Sequence, residues 1–295
     1  MLKSHFFDTF NSKLIIISSI ICLILSHLFN ETVQSIAIMV GILTFGVIHG
    51  ANDIILLSKN LEKPALNSKY LILLYSLLVL LSAIFFFYFP VIALTFFVLY
   101  SSYHFGEQQW TLYEKKKTNL SLLHFSYGLF IFSMLFIFNE QDVSKIIYDI
   151  TAILITENQF LLFFIISFSG LCLSLIFFYK EIIRQLSTQL VLIVLLSLLF
   201  YSSDLMLSFA VYFVFWHSIP SIVEQTNYIF GQNSYTSFIQ YFKKAFIYWI
   251  VSMVGLVVFF YFLKDDQALL TSVFFSFLAA ITLPHTLVIF KIKIK

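Results

Sequence analysis

Residues 70–110 read YLILLYSLLVLLSAIFFFYFPVIALTFFVLYSSYHFGEQQW. No Asp, Glu, Lys or Arg interrupts the run before Glu107. A bilayer core takes ~20 helical residues, so the stretch is long enough to cross twice. Pro90 lies between the two crossings, where a tight turn is favoured. The segment therefore predicts two membrane helices, 70–89 and 91–110, and sets the class of the whole chain.

Working outward, similar apolar runs recur at 14–29, 33–57, 120–138, 159–179, 186–202, 205–226, 244–263 and 268–290. The first and the seventh in chain order are short for a crossing. The 295 residues are 60% hydrophobic and 11% charged, against about a quarter charged in a soluble protein. No polar stretch is long enough for a second domain. The expected fold is all-α: a polytopic transmembrane helix bundle of about ten spans in one integral membrane domain, 1–295, with the lipid bilayer as its partner. A net charge of +2 gives no basis for a nucleic-acid partner. Cys22 and Cys172 lie in apolar runs and suggest neither a disulfide framework nor a thiolate metal site. No small-residue cleavage site follows Leu25–Phe29, so the N-terminus is not read as a signal peptide. No internal repeat suggests a transporter built from two halves.

Charge tests the span count independently. Lys and Arg favour cytoplasmic ends. With the N-terminus inside and ten alternating spans, 15 of the 17 basic residues fall inside, and only Lys145 and Lys264 fall outside. The Lys115–Lys117 run is then a cytoplasmic anchor. The outer loops carry mostly acids, among them Glu140, Asp142, Asp149, Asp204, Asp265 and Asp266. Both termini are expected in the cytoplasm and the chain in the cell (inner) membrane.

Seven histidines occur. His5 is in the N-terminal tail, His27 at the outer end of span one, and His124 near the inner end of span five. His49, His104, His217 and His285 lie in spans two, four, eight and ten, which all run from outside to inside. Each is roughly 12–17 residues into its span, and at ~1.5 Å per residue the four depths agree within about 8 Å. Ionisable groups inside a bilayer are costly and usually functional. Imidazole is also the commonest metal ligand. The plain alternative is that each ring satisfies a local hydrogen bond in helix packing. Carboxylates accompany three of the four: Asp53 at i+4 from His49, Glu107 at i+3 from His104, and Glu224 at i+7 from His217. They are candidates to accept a ligand's second N–H, or else they simply reach water at the interface.

The segment Gly46-Val47-Ile48-His49-Gly50-Ala51-Asn52-Asp53 resembles the histidine–glycine–x–x–aspartate motif of the Brp/Blh family of membrane β-carotene 15,15′-dioxygenases. Tyr103-His104-Phe105-Gly106, Trp216-His217-Ser218 and Pro284-His285 resemble its other motifs in order and spacing, over roughly residues 40–290. The resemblance implies Fe²⁺ held by histidines, with His49, His104 and His217 at matched ligand positions. It implies a carotenoid and O₂ as substrates, retinal as product, and a functional link to a microbial rhodopsin that uses the retinal. One position departs. The family usually carries a second histidine four residues after that of His217, and here Ser221 stands there. Either His285 completes the site as the replacement ligand, or the site has three histidines, or the activity is altered. Tyr103, Phe105 and Trp216, with Trp110, Phe213 and Phe215, are expected to line a tunnel for the polyene. Gly46, Gly50 and Gly106 either let the polyene pass close to backbone or let helices approach. The competing readings are a haem-binding membrane redox protein and a non-enzymatic proton or ion transporter with a buried histidine–acid cluster.

Overall fold

The computed structural model describes residues 2–60, 68–111, 119–263 and 267–293. The expected positions Lys63, Lys115–Lys117, Lys264, Asp265, Asp266 and Lys295 lie outside the described residues. The chain is all-helical, with no strand among the described residues.

Among the described residues, seven helices are long and apolar enough to cross a membrane: Thr32–Lys59, Lys69–Tyr88, Ser121–Phe138, Glu157–Phe177, Tyr179–Ser202, Leu205–Phe230 and Val273–Lys291. The other three expected spans lie on α1 (Leu2–Leu28), α6 (Pro90–Thr111) and α13 (Tyr235–Leu263). The apolar part of α1, Ser12–Leu28, is shorter than the seven. In α6 the second half carries buried Ser101, Ser102, His104, Glu107, Gln108 and Gln109, so it is less apolar than a lipid-facing span. Pro90 is the first residue of α6, where its missing N–H costs no helical hydrogen bond.

Two expected spans are not regular α-helices. The second comprises α2 (Glu31–Gly41), a π-helical segment (Ile42–Gly46), α3 (Val47–Ala51) and α4 (Asp53–Asn60), with a break at Asn52. The eighth comprises α11 (Leu205–Val211), a π-helical segment (Tyr212–Ser218) and α12 (Ile219–Phe230). Pro220 explains the second case. Its ring crowds the carbonyl four residues earlier and it has no N–H to donate. Widening the preceding turn relieves both, and the N–H of Ile219 accordingly bonds to the carbonyl of Val214, five residues back. The remaining helices are α5 (Ser68–Tyr88), α7 (Ser121–Phe138), α8 (Glu140–Thr151), α9 (Glu157–Phe177), α10 (Tyr179–Ser202) and α14 (Gln267–Lys293).

Packing divides the chain into two units. The first comprises Met1–Ile42, Ser101–Lys145 and Leu154–Pro220. In it the hydroxyls of Ser126 and Ser174 meet at 3.0 Å between α7 and α9, and those of Ser133 and Ser167 at 2.5 Å. Small residues let membrane helices approach closely, and buried hydroxyls then find partners across the contact. α6 and α7 approach closely enough for backbone contact. A Cβ placed on Gly106 would lie 1.8 Å from the carbonyl oxygen of His124, and one on Gly128 would lie 1.8 Å from that of Ser102. Gly106 therefore serves helix packing, one of the two roles its sequence left open.

The second unit comprises Leu43–Tyr100, Ile146–Ile153 and Ser221–Lys295. Leu56 of α4 packs with Val288 and Ile289 of α14, and Tyr75 and Tyr228 lie against them. Phe86 of α5 and Ala93 of α6 pack with Ala279 of α14. Pro284 interrupts α14. It withholds a donor from the carbonyl of Ala280, one residue before His285.

Candidate functional site

Each unit holds two of the four histidines singled out by depth, and all four are buried. In the first unit the rings of His104 (α6) and His217 (second π-helical segment) meet edge to face, with centroids 4.9 Å apart. Phe105 lies 4.6 Å from the His217 ring, and Phe213 stacks on it at 5.7 Å. The Gln108 amide donates to the backbone carbonyl of His217 at 3.1 Å. α6 thus supplies His104, an aromatic wall for His217 and a tie to its backbone, all within one helical turn. The Trp216 indole N–H donates to Ser19 Oγ of α1 at 2.9 Å, anchoring the same segment from another side.

In the second unit His49 (α3) and His285 (α14) also meet edge to face, at 4.7 Å. His49 Nδ1 bonds to the carbonyl of Gly46, the last residue of the first π-helical segment. His285 Nδ1 lies 2.9 and 3.0 Å from the two carboxylate oxygens of Asp53. Tyr75 donates its hydroxyl to Asp53 Oδ2 at 2.7 Å. Because each partner is an acceptor, both rings carry a proton on Nδ1, and in the neutral form Nε2 would offer the lone pair. Neutral imidazoles oriented through Nδ1 by a carbonyl and a carboxylate are the usual arrangement of metal-ligating histidines.

Other expected residues are placed as follows. Glu107 is buried on α6 and Glu224 is half-buried on α12. Ser221 Oγ accepts from Gln225 Nε2 at 2.9 Å. Gln225 Oε1 in turn accepts from the buried Tyr241 hydroxyl at 2.7 Å. Tyr103 is half-buried and meets the His124 ring at 6.1 Å. Trp110 is buried against Tyr127. His27 is exposed and bonds through Nδ1 to the carbonyl of Leu23. Sequence reasoning missed Tyr75, Gln108, Gln225 and Tyr241. Their signal is a polar side chain inside a span, which must find a protein partner because lipid offers none.

The family model described as beta-carotene 15,15'-dioxygenase matches residues 40–293. That is most of the chain, and it takes in all four histidines. The chain belongs to this family. No curated protein and no solved structure matches it. Membership of the β-carotene 15,15′-dioxygenase family makes the chain a dioxygenase-like enzyme, and its long apolar helices are those of a multi-pass membrane protein.

The residues present could hold a metal ion. Imidazole nitrogen is a common metal ligand, all four rings are buried, and those of His49 and His285 are held at Nδ1 by a carbonyl and a carboxylate.

Proposed function

We propose that this protein cleaves β-carotene, or a closely related carotenoid, with O₂ to give retinal, and that its cofactor is Fe²⁺ held by His49, His104, His217 and His285. The observation that carries the reading is the family match across all four histidine motifs. The paired, buried rings of His104 and His217 in the first unit and of His49 and His285 in the second support it as side chains of metal-ligating type. Ser221, at the position where the family usually has a histidine, is engaged by Gln225, which favours His285 as the replacement.

When bound, the iron supplies the redox centre that makes dioxygen reactive toward a double bond. One C=C bond breaks and two C=O bonds form, each taking one oxygen atom, so no organic cofactor is consumed. The chain's residues orient and exclude. Asp53 fixes the proton of His285 on Nδ1, the Gly46 carbonyl does the same for His49, and Gln108 steadies the His217 backbone. Tyr103, Phe105 and Trp216 line the path of the polyene, which enters sideways from the bilayer where it already dissolves. Glu107 and Glu224 take the outer positions near the ligands.

Expression in bacteria that accumulate β-carotene should bleach the cells and yield extractable retinal by chromatography. The purified protein should carry about one iron per chain and no Soret band. Full colour with normal protein levels would remove the substrate assignment, and a Soret band would make it a haem protein.

The reading includes one integral membrane domain of ten spans in the inner membrane, both termini cytoplasmic, with the retinal passing to a rhodopsin. Reporter fusions after residues 64, 115 and 295 should all report cytoplasm. A periplasmic signal at residue 115 would break the alternation and with it the common depth of the histidines.

A further inference from the structure

Tyr75 stands about a third of the way along α5, whose residues 71–87 are otherwise Leu, Ile, Val, Phe, Ala and Ser. A tyrosine hydroxyl inside the membrane must donate to something. Here it donates to Asp53 Oδ2 at 2.7 Å. The same carboxylate faces His285 Nδ1 with both oxygens, at 2.9 and 3.0 Å. Asp53 is 1% exposed and His285 2%, so water does not compete for these bonds. Three helices, α4, α5 and α14, thus converge on one carboxylate.

We infer that Tyr75 is a positioning residue for metal binding: it locks the Asp53 carboxylate so that the His285 ring is held with Nε2 presented as a donor. This rests on His285 being a ligand, as proposed above. The physical reason is rotational. A carboxylate bonded only to one imidazole can turn about its Cβ–Cγ bond, and the imidazole can turn with it. A second donor from a different helix removes that freedom. The Tyr75 ring supplies the rigidity, because it packs against the cluster of Leu56, Val288 and Ile289, whose last two members lie one turn beyond His285 on α14. Gly50 leaves room at the same point: a Cβ there would lie 3.8 Å from His285 Nδ1, an ordinary contact. Asp53 holds the ring at Nδ1, while His49 of α3 meets it edge to face at 4.7 Å.

The test uses the purified full chain, stripped of metal by chelation and titrated with Co²⁺ as a redox-stable probe. Tyr75→Phe keeps the ring and removes only the donor. It should weaken Co²⁺ binding about 10-fold, the lower end of the ~10–100-fold seen when a ligand's outer partners are lost, with the thermal midpoint within a few degrees of wild type. Tyr228→Phe, on the same apolar cluster, should bind Co²⁺ as wild type does. In an Asp53→Asn background the Tyr75→Phe effect should largely vanish, because Tyr75 acts through that carboxylate. Wild-type affinity in Tyr75→Phe, or a full additive loss in the double variant, would overturn the inference. His285→Ala separates it from the reading beneath. Wild-type affinity there removes His285 as a ligand and Tyr75's role with it. Lost affinity there with normal affinity in Tyr75→Phe removes Tyr75 alone.

Discussion

His217→Phe should accumulate in the membrane at normal levels, hold no iron and produce no retinal. The variant is chosen to keep the packing. His217 contacts the rings of Phe105 and Phe213, and a phenyl ring keeps aromatic bulk against both, whereas alanine would leave a hole there. Only the two ring nitrogens are lost. A lost direct ligand should cost more than the ~10–100-fold that outer partners cost, so retinal should fall to background. His49→Ala and His104→Ala should do the same. The measurements are iron content of the purified protein and retinal per cell. Normal iron and normal retinal in His217→Phe would refute the ligand assignment, whereas absent protein would mean the ring's role is packing.

Gly106→Ala and Gly128→Ala should each unfold the crossing of α6 and α7. The added Cβ would lie 1.8 Å from a backbone carbonyl oxygen in either case. Favourable carbon contacts lie near ~3.5–4.0 Å, so the helices must move apart by more than an ångström. The obstacle is backbone, which cannot turn aside as a side-chain end can. Overpacking typically costs ~1–3 kcal/mol and occasionally more, and these two sites belong at or above the top of that range. His104 lies two residues before Gly106, so any separation also displaces the ring from His217. The thermal midpoint in detergent should drop by about 5–10 °C, taking ~2–4 °C per kcal/mol for a chain of this size, and iron should be lost. Gly255→Ala is the control. Nothing lies within 4 Å of a Cβ there, and alanine is the better helix former, so its midpoint should hold or rise. An unchanged midpoint in Gly106→Ala would mean the helices are not in backbone contact.

Much of the architecture follows from composition alone. Membrane-length apolar runs must become helices, because only a helix satisfies its own backbone in lipid. Among the described residues, seven helices are both long and apolar enough to cross. The four histidine motifs were legible for the same reason: an imidazole in an apolar span is conspicuous, and the family match covers every one of them. What the sequence could not reveal is which side chains meet. Asp53 is four residues from His49, yet its carboxylate bonds to His285, 232 residues away. The partner depends on where α14 passes α4, and no local period encodes that. Tyr75 looked like one more aromatic among many until α5 was seen to bring its hydroxyl to Asp53. The π-helical segment before Pro220 upset the assumed period of 3.6, although the proline that causes it was in plain sight. Gly106 had two roles open until α7 was found against it. The sequence by itself determined helices and donor chemistry, because these depend on each residue's own free energy in lipid or water. Tertiary structure alone decided the pairings, because a hydrogen bond depends on the positions of two groups that the chain brings together only when it folds.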